Sequence, residues 1–137
     1  MIRLFKNRGF MIQGILHLSP REAFELCSDE GILVDVRDDY LSSFKSFGVP
    51  DVLYLPAGNL SNLYNDLPRD KCLIFADSAG IHSKEAVMFL KDKGYENIAN
   101  MAGGLIEWER DGLPVKTDTR ERLTGSCMCQ LRRRERE

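Results

Sequence analysis

KCLIFADSAGIHSKEA, residues 71–86, is the stretch on which the fold turns. Its apolar run, Cys72 to Ala76, reads as a buried strand that stops abruptly at Asp77-Ser78-Ala79-Gly80, after which helical spacing begins. A strand, a tight loop and a helix start in that order aim successive backbone N–H groups at one point, beside the positive end of a helix dipole. Such a loop is an anion cradle in outline, and the chemistry of the chain is expected there.

Upstream, Ser19 is a natural N-cap, Pro20 fits the first helical position, and Glu22 brings a carboxylate to the first turn of a helix whose apolar face is Ala23, Phe24, Leu26 and Cys27. Cys27 reads as a small core residue. Gly31 then releases the chain into Ile32-Leu33-Val34-Asp35-Val36-Arg37, a run that suits a central parallel strand covered on both faces. Asp35 and Arg37, two apart, share a face at the strand end where open α/β sheets place their sites, either as an ion pair tying a loop or as participants in chemistry. Residues 38–48 connect with some helical character. Val52 to Ala57 reads as a strand that Pro56 ends early or places at an edge, and Asn59 to Asp66 as a short helix closed by Pro68.

Downstream, His82 to Glu85 lead into the apolar positions Ala86 to Leu90, with Gly94 as the helix stop. Tyr95 to Asn100 reads as a further strand, and Gly103-Gly104 turns into a short helix, Leu105 to Trp108, ended by Asp111-Gly112 and Pro114. Strands alternating with helices throughout predict a parallel-sheet α/β domain.

Composition agrees with one domain. The chain has 137 residues, 43% hydrophobic and 29% charged, enough to bury a core. A net charge of -2 gives no electrostatic case for nucleic acid or an anionic membrane as partner. The four cysteines, at 27, 72, 127 and 129, form no spaced disulfide framework, which points to a reducing, cytoplasmic setting. Gly9 to Leu16 is interrupted by Gln13 and Gly14, is too short to span a bilayer, and lacks a following cleavage site, so a strand beginning the fold is preferred to a signal peptide. Residues 1–14 are assigned to an N-terminal extension, 15–115 to the domain, and 116–137 to a polar tail containing Cys127-Met128-Cys129 and an arginine run.

The segments LVDVRDDY, DSAGIHS, KDKGYENI and NMAGGLIEWERDGLPV, in this order over residues 15–115, resemble the rhodanese homology domain. The resemblance implies a single α/β domain with a central, mostly parallel five-stranded sheet flanked by helices. Active sulfurtransferases of that family carry a loop that begins with cysteine, passes through glycine and ends in Arg-Ser. The cysteine takes sulfane sulfur from thiosulfate or a persulfide and passes it to a thiophilic acceptor. The same fold serves a class of phosphatases and also docking or regulatory domains without catalysis. Gly80 and Ser83 match the loop, Asp35 and Arg37 match the strand motif that braces it, and Gly103, Gly104 and Trp108 match the later turn. Two positions depart. Asp77 stands where the nucleophilic cysteine belongs, and His82 where arginine is usual; the Gly-His-Ile signature is also replaced, around Phe47-Gly48-Val49-Pro50.

Sulfur transfer needs a soft thiolate able to carry a second sulfur, and a carboxylate forms no such adduct. A fixed Asp77 anion is also expected to accept the loop N–H groups that should hold a substrate, making the loop more stable and less receptive. Cys72 lies about 16 Å away at the opposite strand end and reads as core. The tail thiols Cys127 and Cys129 are within reach as alternatives: a tail without specific chemistry, a redox or sulfur-handling pair, or two soft ligands that alone make an incomplete zinc site. His82, at a helix start, either orients Asp77 or has no partner. No metal set and no cofactor is expected. The site is expected to comprise Asp77 with Asp35, Arg37, Ser78, Ala79, Gly80, Ile81, His82 and Ser83. The expected function is a rhodanese-like binding or regulatory module in sulfur or redox metabolism, with a small anion, a sulfur donor or acceptor, or a protein as partner; the alternative is an active sulfurtransferase or redox protein using the tail thiols.

Overall fold

The computed structural model describes Phe5 and residues 8–117. Its centre is a six-stranded sheet of β1 (Phe10–Ile12), β2 (Ile15–Leu18), β3 (Ile32–Asp35), β5 (Val52–Tyr54), β6 (Leu73–Ala76) and β7 (Ile98–Met101), in the order β1-β2-β7-β6-β3-β5. The five strands β2, β7, β6, β3 and β5 are mutually parallel, and β1 adds a sixth, antiparallel to β2. That sixth strand falls within residues 1–14, read from sequence as an extension. It exists because Gln13 and Gly14 both take positive φ, the conformation a two-residue hairpin loop needs to match strand twist.

Both sheet faces are covered. Leu73 and Phe75 pack with Val87 and Leu90 of helix α4 (His82–Asp92), whereas the alternating Ile74 and Ala76 join the core around α1 (Pro20–Cys27) and α5 (Gly104–Arg110). Each fully buried Leu, Ile, Val or Phe contributes roughly 1.5–3 kcal/mol, so the central strand is pinned by its own alternation. Helix α1 begins with a capping box, Ser19 Oγ accepting from the Glu22 N–H while the Glu22 carboxylate accepts from the Ser19 N–H. Burial alone would raise the Glu22 carboxyl; the N–H groups of Ser19 and Gly9 bring it below its ordinary value.

Two boundaries differ from the sequence expectation. Strand β7 starts at Ile98 rather than Tyr95, because the Tyr95 hydroxyl is committed to the carbonyls of Tyr64 and Leu67, and the Asn97 side chain to that of Arg69. The connection after Arg37 contains a short helix α2 (Asp39–Phe44), then a strand, β4 (Lys45–Phe47), that pairs antiparallel with β8 (Val115–Thr117) in a two-stranded ribbon. The ribbon closes over Trp108, which is fully buried, donates from its indole N–H to the Pro114 carbonyl at 2.7 Å, and meets Phe24 and Phe47 edge-on. Residues 57–66 form a short helix α3 (Leu60–Leu63) between single 3-10 turns, beside the edge strand β5. No helix among the described residues is long and apolar enough to cross a membrane. Cys127 and Cys129 lie outside the described residues.

Candidate functional site

Strands β3, β5 and β6 all end at the same edge of the sheet, and the loops leaving them build the site. Val36, Arg37 and Asp38 after β3, Ala57 after β5, and Asp77 to Ala79 with Ile81 and His82 after β6 line a cavity of about 450 Å³, with Leu41 of α2 on its wall. Its rim is apolar as well as polar: Ile81 is 63% exposed and Leu41 is partly so.

The loop from Asp77 to Gly80 is held from below by α5. The Leu105 N–H donates to the Asp77 carbonyl at 2.8 Å and the Ile106 N–H to the Ser78 carbonyl at 3.0 Å. This contact requires glycine at two points. A Cβ on Gly104 would run into the Asp77 carbonyl oxygen, and one on Gly80, whose φ is +90°, would fall 2.8 Å from the Gly103 nitrogen. The sequence pair Gly103-Gly104 is therefore the seat on which the loop rests.

Asp77 is 4% exposed, and its carboxylate is turned back into the loop. Oδ1 accepts from the Ala79 N–H at 3.1 Å and from the Gly80 N–H; Oδ2 accepts from the His82 N–H at 2.8 Å. Three backbone donors of the loop, those of Ala79, Gly80 and His82, are thus taken by the side chain of the loop's own first residue. His82 Nδ1 lies 3.4 Å from Asp77 Oδ2, but the imidazole is 73% exposed and faces outward. The Ser83 hydroxyl, fully buried, is 3.5 Å from Asp77 Oδ1 and 2.5 Å from Asn100 Oδ1.

Asp35 and Arg37 stand beside this loop as a buried pair. Arg37 Nε and Nη2 grip both Asp35 oxygens, with the shortest contact 2.7 Å, and Nη2 donates a second bond to the Lys45 carbonyl, also 2.7 Å. Arg37 lies over the Phe47 ring as well. The Nε and Nη2 donors of the guanidinium are thus committed to bracing the sheet edge against the ribbon.

Of the residues singled out from sequence, Arg37, Asp77, Ser78, Ala79, Ile81 and His82 line one cavity; Asp35 stands behind Arg37, Gly80 forms the turn, and Ser83 lies underneath. Cys72 is buried at the start of β6, beside Gly31 and Lys71, at the other end of the strand. Cys27 is buried too, and burial, with the nearby Asp51 and Cys72, pushes its thiol up to about 12. Two residues near the site escape a sequence reading. His17 of β2 and Asn100 of β7 pair across the sheet, and Asn100 contacts Ser83; being single polar residues in apolar strands, they meet only through strand register.

The fold and site together define an open parallel α/β domain with a backbone-lined loop between its central strand and the following helix. The family model of the rhodanese-like domain matches residues 19–111. The thiosulfate sulfurtransferase GlpE of Actinobacillus pleuropneumoniae is 27% identical over 108 residues, covering 78% of this chain and 98% of that protein. A sulfurtransferase of Allochromatium vinosum is 30% identical over 88 residues, 64% of this chain and 80% of that one. The crystal structure of a rhodanese-related protein from Thermoplasma volcanium superposes with a TM-score of 0.68 at 26% identity, covering 74% of this chain and 98% of that chain. The chain belongs to the rhodanese-like domain family, and its relatives include sulfurtransferases.

Proposed function

We propose that this chain is a rhodanese-like module that has lost loop-based sulfur transfer and acts by binding, as a docking or regulatory domain in sulfur or redox metabolism. The observation that carries this reading is the Asp77 carboxylate seated on the N–H groups of Ala79, Gly80 and His82. Those are the donors an active loop would turn toward a thiolate and its substrate. An oxygen at that point carries no persulfide, and its negative charge repels thiosulfate. With the cradle filled, binding falls to the cavity wall of Val36, Leu41, Ala57 and Ile81, which suits a sulfur-carrying or protein partner better than a small free anion.

A second reading, sulfur or redox chemistry by Cys127 and Cys129, is favoured by one feature of the ribbon. Thr117 pairs with Lys45, whose carbonyl is held by Arg37 of the cavity wall, so the chain leaves the domain beside the site. Cys127 lies ten residues beyond Thr117, a reach of about 33–36 Å when extended.

The test is thiocyanate formation from cyanide with thiosulfate, and separately with a persulfide donor, on the parent and on Cys127→Ser/Cys129→Ser. The first reading expects both proteins to stay at the uncatalysed rate. Activity in the parent that disappears with the tail thiols establishes the second reading in its place.

A further inference from the structure

A row of side chains crosses the sheet on the α4 side: Phe10 of β1 pairs with His17 of β2, His17 with Asn100 of β7, and Asn100 with Phe75 of β6. Two of the four are polar, and both are buried, His17 at 7% exposure and Asn100 at 2%. Phe10 stacks on the His17 ring at 5.8 Å between centroids. From α4, Ser83 drops its hydroxyl onto Asn100 Oδ1 at 2.5 Å, and Asn100 Nδ2 faces both His17 Nδ1 at 3.3 Å and the Gly80 carbonyl at 3.5 Å. A continuous polar path therefore runs His17, Asn100, Ser83, Asp77, from the second strand of the sheet to the loop.

With the Asn100 amide in this orientation, the chemistry of each group sets the direction of its bond. Asn100 Oδ1 only accepts, so the Ser83 hydrogen points at it and away from Asp77 Oδ1. Asn100 Nδ2 only donates, so His17 Nδ1 must be a bare acceptor and the ring is neutral with its proton on Nε2. That Nε2 is buried without a hydrogen-bond partner among the described residues. A second proton on His17 has to go to Nδ1, where it meets an amide N–H. The amide relieves the clash by turning over, since its two ends have nearly the same shape. Oδ1 then accepts from His17, Nδ2 donates to Ser83 Oγ, and the Ser83 hydrogen is released to Asp77 Oδ1, 3.5 Å away. The Gly80 carbonyl loses its long contact with Nδ2 in the same step.

We propose that His17 is a positioning residue for the Asp77 loop: its protonation state sets the direction of the Asn100 and Ser83 hydrogen bonds, and so decides whether Ser83 donates to Asp77 or to Asn100. This rests on the reading of Asp77 as the group that fills the cradle, and adds a regulatory input to it. When His17 takes up a proton, Asp77 gains a side-chain donor and the Gly80 turn loses one, changing the loop without moving the sheet. The groups around His17 are Phe10 from β1, Asn100 from β7 and, from α4, the positive charge of Lys84, with Ser83 reaching it only through Asn100. Burial, then Lys84, hold the imidazole below its ordinary value, so the reversal belongs to the acid side of 6.5.

The chain has two histidines, so His82→Gln leaves His17 as the only imidazole. NMR on the full chain carrying that change follows the His17 ring nitrogens, the Asn100 side-chain amide and the Asp77 carboxyl carbon as pH is lowered. The expected result is a shift of all three with one midpoint, below 6.5. In Ser83→Ala, made in the same background, Asn100 still follows His17 but the Asp77 carbon does not. An Asp77 carbon with no inflection at the His17 midpoint, an inflection unchanged by Ser83→Ala, or a His17 that stays neutral until the protein unfolds in acid each overturns the proposal. Should the His82→Gln protein fail to fold, the same titration is read in the parent, where the two imidazoles are assigned separately. The readout is hydrogen bonding, so a positive thiocyanate assay changes the proposed function without touching this result, and the reverse.

Discussion

Arg37 Nη2 sits 2.7 Å from Asp35 Oδ2 with both side chains almost wholly out of water, and the same nitrogen holds the Lys45 carbonyl. One guanidinium therefore joins the end of the central sheet to the β4–β8 ribbon. Removing either partner strands a buried charge. We expect Arg37→Met and Asp35→Asn each to lower stability in urea by about 3–5 kcal/mol, and Arg37→Met/Asp35→Leu to recover part of that loss. Single variants within about 1 kcal/mol of the parent contradict a bracing role.

Replacing Asp77 tests the cradle directly. In Asp77→Cys the N–H groups of Ala79, Gly80 and His82 face a sulfur instead, and its pKa is expected to fall below the usual value of about 8.5. With Cys127 and Cys129 changed to Ser, iodoacetamide should find one fast thiol, because Cys27 and Cys72 are buried. Adding His82→Arg should raise thiocyanate formation from thiosulfate further, by supplying a fixed cation at the cavity mouth. A thiol at 77 that reacts no faster than a free cysteine contradicts the cradle.

Gly104→Ala should be among the most damaging single-methyl additions. Its Cβ has nowhere to go but into the backbone of Asp77 and Ser78, and its φ of +58° is strained for alanine. A loss of about 2–4 kcal/mol is expected, read as a fall in thermal midpoint. Gly58→Ala, which meets nothing within 4 Å, serves as the control and should stay within about 0.5 kcal/mol.

Much of this fold is legible where the signal is local. Ser19, Pro20 and Glu22 spell a helix start because a cap is made within four residues, and Leu73 to Ala76 spell a central strand because both faces are apolar. The loop from Asp77 to Ser83 is legible as geometry for the same reason: its donors come from neighbours in sequence. The ribbon is not. Lys45 to Phe47 is too short to show alternation, and its partner lies about 70 residues further on, so only the buried Trp108 between them makes sense of it. His17 and Asn100, 83 residues apart, are hidden likewise, since their meeting depends on which strands are neighbours.

Alkali should expose Cys27. Its thiol stays protonated in the folded chain to about 12, while in the unfolded chain it ionises near 9.0. Between these values the unfolded state holds fewer protons, so stability falls as pH rises, by up to about 4 kcal/mol at the top of the window. Comparing urea midpoints of the parent and Cys27→Ala from about pH 8 to about pH 11 should show the parent losing more. Parallel curves remove Cys27 as the cause.

The ribbon has a mechanical meaning. A load applied through the C-terminal side of Thr117 is met first by three residue pairs between β4 and β8, and behind them by the bond from Arg37 to the Lys45 carbonyl, the Lys45–Glu109 ion pair and the packing of Phe47 and Val115 on the core. Tension there is divided between the wall of the cavity, through Arg37, and the hydrophobic interior, through Phe47 and Val115. A pull on that end of the domain therefore reaches the candidate site and the core together.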